Sequence, residues 1–317
     1  MLIQEYRASK ILYNFLVSNN FGGTFLIPAN SCPVVPLVFL KAETKFELID
    51  ISLSEFCIDQ QSVMDKIKRQ PGMYSGILYV RTYGVENDVD FFFRELKSLD
   101  NGFIIIDDCC LCKPDLSNEK DDLIDLKLFS TGYAKYIDIG MGGFAYLNES
   151  KSFKYQPTFK KYCQTDYEIL MSSVKNAIQS NLTFIYDKQL KWLDNLEMPS
   201  DYLRTVEEKL PAIIEHKNKL NVIYKDNLPP SVILDDKFQH WRFNIMVDPA
   251  KKEHLISKIF KNGLFASSHY YPLTHIFHQV QSPNAEYIKQ RVVNLFNDMY
   301  YTEDQAYKTC TIINEYL

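Results

Sequence analysis

Most of the features that would classify a chain at a glance are missing from these 317 residues. There is no basic excess. The net charge is −5, which gives nucleic acid no electrostatic footprint, so no nucleic-acid partner is expected. No apolar run approaches the roughly 20 residues that span a bilayer, so no membrane partner is expected. The opening residues, Met1-Leu2-Ile3-Gln4-Glu5-Tyr6-Arg7, lack the charged and apolar regions of a secretory signal, and the expected location is cytoplasmic. Internal repeats and low-complexity segments are absent. The seven cysteines are odd in number and irregular in spacing. Cys109-Cys110-Leu111-Cys112 has no second CxxC or His pair to complete four ligands, so no metal is expected and these residues read as buried thiols.

What is present is ordinary for a soluble globular protein: 46% apolar and 24% charged residues, in a chain long enough for one large or two medium domains. In the first half, helical and strand patterns alternate. Residues 5–18 place Ile11, Leu12, Phe15 and Leu16 at helical spacing, and Gly22-Gly23 ends that run. Strands are expected at 24–27, 45–49, 75–81, 103–106 and 126–129. Helices are expected at 34–40, 62–68 and 89–98, the last with Phe91-Phe92-Phe93 in the core. Short strands separated by helices imply a mainly parallel sheet with helices on both faces. Residues 151–200 read as mostly helical, and 203–228 as a helix broken or kinked at Pro211. From about 230, a strand at 241–247, helices at 251–262 and 303–316, and a loop plus strand at 263–271 suggest a small α+β unit.

In a parallel sheet, function collects at the carboxyl ends of strands. Four segments lie there: Pro28-Ala29-Asn30-Ser31-Cys32, Arg81-Thr82-Tyr83-Gly84, Asp107-Asp108, and Ser130 with its adjoining loop. Ser130 and Lys135 stand five apart in Phe129-Ser130-Thr131-Gly132-Tyr133-Ala134-Lys135, with Gly140-Met141-Gly142-Gly143 next. An acid ending a buried strand, then a serine and a lysine in a glycine-containing loop, form a cradle for pyridoxal 5'-phosphate (PLP). The acid pairs with the pyridinium nitrogen, the serine holds phosphate, and the lysine forms the imine. The lysine must be neutral to attack, so the site is expected to lower its pKa.

These residues resemble the DegT/DnrJ/EryC1/StrS family of sugar aminotransferases. Phe25-Leu26-Ile27-Pro28-Ala29-Asn30-Ser31-Cys32 resembles the family's strand and Pro-Ala-Tyr-Thr segment. Ile105-Ile106-Asp107-Asp108-Cys109-Cys110 resembles V-I-E-D-A-A, and Phe129 to Lys135 with Gly140 to Gly143 resembles F-S-F-x-x-x-K and G-x-G-G. His269-Tyr270-Tyr271-Pro272-Leu273-Thr274-His275 resembles H-Y-P-x-P-L-H. The resemblance implies an α/β, three-layer PLP-dependent transferase fold: a mainly parallel mixed sheet with helices on both faces, then a smaller C-terminal α+β domain. The expected division is a PLP-binding domain over 1–200 and a small domain over 201–317. By position, Lys135 is the imine-forming lysine and Asp108 the acid on the pyridine nitrogen. Ser130 is a phosphate ligand, Ala8-Ser9 the first phosphate-binding turn, and Cys32 lies at or near the place of the ring-stacking aromatic. Substrate contacts fall to His269, Tyr271 and His275. Asp107 is the less favoured acid, because the family pattern puts the functional carboxylate second.

The activity so implied is transfer of an amino group, with glutamate the expected donor, to a nucleotide-linked keto-sugar. The family acts as a homodimer with shared sites, and the implied process is polysaccharide biosynthesis (surface polysaccharide or lipopolysaccharide) or glycosylated-metabolite synthesis. Family dehydratases carry histidine in place of the lysine, and Lys135 argues against that chemistry. The alternative is a degenerate member acting as a non-catalytic binding or scaffold subunit. It would result from departures at Leu111, Cys32, Tyr6-Arg7 and Tyr202.

Overall fold

The computed structural model describes residues 1–117, 121–155, 162–193, 196–277 and 280–317. The elements in chain order are β1 (Leu2–Glu5), α1 (Ala8–Asn19), β2 (Thr24–Pro28), α2 (Val34–Lys41), β3 (Phe46–Ile49), α3 (Gln60–Arg69), β4 (Tyr74–Val80), α4 (Asp90–Leu99), β5 (Ile104–Asp108), β6 (Leu126–Ser130), β7 (Gly143–Leu147), α5 (Gln164–Ser180), α6 (Tyr202–Asn227), β8 (Phe243–Met246), α7 (Pro249–Lys261), β9 (Ala266–Ser267), α8 (Thr274–Phe277), α9 (Pro283–Lys289), β10 (Val292–Leu295) and α10 (Glu303–Tyr316).

Seven strands form the large sheet in the order β1-β7-β6-β5-β4-β2-β3. Its centre is parallel, as the alternation of strands and helices requires, while β7 runs antiparallel to both β6 and β1. The central strands are apolar on both faces because helices cover both. Residues of even number on β4, β5 and β6 (Leu78, Val80, Ile104, Ile106, Leu126, Leu128) pack with α1, α2 and α5. Odd-numbered Ile77, Tyr79 and Ile105 pack on the other side with α3 and α4. Gly143, on β7, meets the start of α1 so closely that a Cβ there would lie 2.5 Å from the Ala8 nitrogen.

The second sheet, β8-β10-β9, is antiparallel and shares a core with the ends of α6, α7 and α10. Two motifs set its helix starts. Asp248 accepts from Ala250 N at 2.8 Å ahead of Pro249, and Thr302 with Gln305 closes a capping box. The helix α6 serves both regions: Tyr202, Val206 and Ile213 pack with Phe129 and Phe144, whereas Leu220, Ile223 and Tyr224 join the small-sheet core.

Several expectations need correction. Residues 2–5 form an edge strand, so the first helix starts at Ala8. Phe91 is 75% exposed, while Phe92 and Phe93 are buried, since three consecutive residues cannot share one helix face. α6 runs unbroken for 26 residues through Pro211. Pro211 and Glu207, whose carbonyl loses its donor, are both exposed, so water can satisfy that carbonyl. Within 151–200 the only helix among the described residues is α5, and 156–161 and 194–195 lie outside them. Among the described residues no helix is long and apolar enough to cross a membrane.

Candidate active site

Adjacent residues of a strand face opposite sides of the sheet, which separates the two aspartates that end β5. Asp107 is fully buried and taken up by Arg81, whose Nε reaches Oδ1 at 2.9 Å and whose Nη2 reaches Oδ2 at 3.0 Å. Burial opposes the Arg81 charge, but Asp107 outweighs it and the guanidinium pKa rises. Asp108 lies on the side of α1 and α2, 6% exposed, and its Oδ1 accepts from Cys110 N at 3.0 Å. Burial raises its pKa, against the Cys110 hydrogen bond and the Lys135 charge.

The loop from Thr131 to Gly142 presents Lys135. It is closed by Thr131 N to Gly142 O and Ile139 N to Thr131 O, both 3.0 Å. Inside it, the Asp138 carboxylate accepts from Ala134 N at 2.8 Å and from Gly140 N at 3.0 Å. Ala134 is held in the left-handed region at φ 56°, and the Trp241 indole donates to its carbonyl at 2.7 Å. Lys135 thus comes directly after a residue pinned at both its amide and its carbonyl. Burial lowers the Lys135 pKa, while Cys110, Cys32 and Asp108 raise it, and the net direction is upward. This reverses the expected depression: the acidic neighbours outweigh desolvation.

Ser130 pairs with Gly143 across β6 and β7, and its Oγ lies 3.5 Å from both Gly132 N and Gly142 O. Gly142 N donates to Tyr6 O at 2.7 Å, which brings the start of α1 to the same corner. Ala8 and Ser9 occupy the first turn, where helix N–H groups have no intrahelical acceptor. Ser130 and a helix N-terminus together suit a phosphate.

Of the other expected site residues, Cys32 and His269 lie close enough to Lys135 to act on it or be acted on by it. The His269 pKa falls to about 4, through burial and the charges of Arg242 and Lys135. Tyr271 does not join them. It is 44% exposed, with its ring 5.1 Å from the Lys289 ammonium. The inward tyrosine is Tyr270, whose pKa is raised by burial and then by Cys32 and Asp108. His275 also stands apart, because α8 carries it to a separate cavity with Asn181, Gln281 and Glu286.

Sequence reasoning missed Trp241, Tyr270, Asp138 and Arg242. The Trp241 ring lies parallel to Tyr83 at 6.3 Å and to Tyr270 at 6.4 Å, and its centroid is 5.7 Å from that of His269. The Tyr83 hydroxyl donates to the His269 carbonyl. One of only two tryptophans in the chain, leading into a strand, was the available signal.

No protein-family model matches the chain, and no curated protein matches it. Solved structures do match. A DegT DnrJ EryC1 StrS aminotransferase from Brucella abortus is 14% identical, with TM-score 0.68, over 99% of this chain and 85% of that one. The chain has the aminotransferase fold. Sugar aminotransferase CalS13 from Micromonospora echinospora superimposes with TM-score 0.70 at 12% identity, over 99% of this chain and 87% of that one. A GDP-4-keto-6-deoxy-D-mannose-3-dehydratase from E. coli with bound hydrated PLP gives TM-score 0.65 at 15% identity, over 98% and 87%. At these identities the likeness is one of fold, and the chemistry rests on the residues above.

Proposed function

We propose that this chain is a PLP-dependent aminotransferase acting on a nucleotide-linked keto-sugar, with an amino acid, expected to be glutamate, as donor. The observation that carries the reading is the mutual influence of Asp108 and Lys135. They stand at the carboxyl ends of neighbouring strands, beside a corner built from Ser130 and the start of α1. The residues fit the cofactor. Asp108 is a buried carboxylate not engaged by any ion pair among the described residues, and would hold the ring nitrogen. Lys135 would hold the aldehyde carbon, Ser130 with Ala8 and Ser9 the phosphate, and Cys32 would lie against the ring. When bound, PLP supplies an electrophilic carbon and an electron sink.

Asp108 would hold a protonated ring nitrogen by ion pairing. A carboxylate so engaged would support the Lys135 ammonium less, which moves the amine toward the neutral form the chemistry needs. Lys135 Nζ, aimed by the pinned Ala134, would be the base that takes up and gives back the proton of the donor carbon. His269, uncharged at neutral pH, offers the substrate a hydrogen bond without competing for that proton. The nucleotide-sugar class rests on the family resemblance, and the E. coli neighbour acts on a GDP-linked keto-sugar. A cytoplasmic homodimer with shared sites, serving polysaccharide biosynthesis, completes the reading.

Absorbance tests it. The purified chain should take up PLP near-stoichiometrically and turn yellow, Lys135→Ala should lose that colour, and glutamate should bleach the wild type. A wild type that takes up no PLP would instead be a non-catalytic scaffold subunit.

A further inference from the structure

Arg242 is a buried cation short of partners. It immediately precedes β8, is 5% exposed, and donates from Nη1 to Ser267 Oγ at 2.6 Å. Its guanidinium carbon lies 3.6 Å from the centroid of Phe296 and 4.6 Å from that of Trp241. No carboxylate reaches ion-pair distance of it among the described residues. Arg81 has Asp107, Lys97 has Asp125 and Lys10 has Glu5, whereas buried Lys217, also without a carboxylate among the described residues, has two oxygen acceptors on one ammonium. A guanidinium offers five N–H donors, and a buried charge without a counter-ion is costly. Burial accordingly lowers the Arg242 pKa to about 10, although Asp298, Tyr270 and Asp138 pull the other way from farther off. A fold retains such a group most economically when a ligand brings the missing charge.

Its position says which ligand. The Trp241 ring beneath the guanidinium also faces His269 and Tyr270. The same indole donates to Ala134 O at 2.7 Å, directly before Lys135, so Trp241 joins the guanidinium to the lysine's loop, and both cations depress His269. A molecule whose amine reacts at Lys135 would therefore carry its acid toward Arg242. Aromatic contacts engage the faces of a guanidinium and leave its N–H edge, which matches a planar carboxylate bidentately. A phosphate already has its place at the α1 corner.

We propose that Arg242 binds a carboxylate of the amino donor, an amino dicarboxylic acid of the glutamate type, and so helps to set donor specificity. This rests on the aminotransferase reading.

The test measures bleaching of the PLP-loaded full chain against L-glutamate concentration, in wild type, Arg242→Met and Arg242→Lys, with glutarate and pyrophosphate as competitors. Loss of a charge-assisted pair should raise the half-saturating glutamate concentration ~30- to 100-fold in Arg242→Met, with PLP uptake retained. Arg242→Lys, a point charge without the fork, should recover part of that loss. Glutarate should compete in the wild type and pyrophosphate should not. Unchanged half-saturation in Arg242→Met overturns the proposal. Should that variant fail to fold, Arg242→Lys decides by the same measure, and unchanged half-saturation there overturns it too. So does competition by pyrophosphate but not by glutarate. A wild type that takes up no PLP sinks the parent reading instead. Calorimetric titration of glutarate into the unloaded chain then decides this one: binding lost in the variants supports Arg242 as a carboxylate site, and no binding overturns it.

Discussion

The support beneath Trp241 can be measured through Lys217. This α6 lysine is 2% exposed, and its Nζ donates to Trp241 O at 2.8 Å and Asn297 Oδ1 at 2.9 Å. Burial pushes its pKa from 10.5 down to about 7, with Asp298 opposing and Arg242 adding to the depression. In the unfolded chain the same amine titrates near ~10.4. Between those two values the unfolded chain holds a proton that the folded chain has released, so this group makes stability rise with pH. Below the window both states hold the proton, and above it neither does. At about 1.36 kcal/mol per pH unit, the contribution between roughly pH 7 and 9.5 is about 3 kcal/mol. Lys217→Met removes the titration and keeps the stem. Urea unfolding of both proteins at both pH values yields a double difference in which groups common to the two cancel. The wild type should gain about 3 kcal/mol more than the variant on going to the higher pH. A double difference below about 0.5 kcal/mol would refute the inference that the folded chain holds this amine neutral there.

Three further outcomes are expected. Asp108→Asn keeps an acceptor for Cys110 N but loses the charge on the ring nitrogen. PLP should still enter, while single-turnover bleaching by glutamate slows by about a thousandfold or more. Trp241→Phe deletes the 2.7 Å bond to Ala134 O and should cost about 1 kcal/mol in urea unfolding, with a slower limiting rate at unchanged PLP uptake. Gly143→Ala sets a Cβ 2.5 Å from Ala8 N and 2.6 Å from Ala8 Cα. It should cost about 1–3 kcal/mol and weaken PLP more than phosphate-free pyridoxal, which equilibrium titration of the two compares.

The central strands were legible because a run such as Ile104-Ile105-Ile106 is apolar on both faces, a pattern that belongs to a covered parallel sheet. Asp108, Ser130 and Lys135 were legible for a related reason: each lies at or just past the end of such a strand. β1 and β10 escaped notice because Leu2-Ile3-Gln4-Glu5 has no apolar–polar alternation and Asn294 interrupts the apolar run of Val292-Val293-Asn294-Leu295. Trp241, Tyr270 and Arg242 escaped for a different reason. They approach Lys135 from more than a hundred residues downstream, and nothing local in sequence marks a contact made by docking one sheet against another. Tyr271 was preferred to Tyr270 because motif likeness fixes composition more firmly than which of two neighbours turns inward.

Parity along β5 explains how two adjacent acids come to hold different roles. Val80 pairs with Asp108, and Asp108 with Leu128, so the side of Asp108 is the side of Ile106, Leu126 and Leu128 beneath α1 and α2. Ser130 falls on the same side, two residues beyond Leu128, and meets Gly143 where α1 begins. Asp107 necessarily faces the opposite layer, where Arg81 takes up both its oxygens. Had the register slipped by one residue, Asp107 would face the α1 corner and Asp108 the arginine, with every isoleucine of the strand reversed as well. The buried isoleucines therefore determine which carboxylate meets Arg81 and which is left without a counter-ion among the described residues. The different surroundings of the two aspartates are set by the hydrophobic packing of the three residues that precede them.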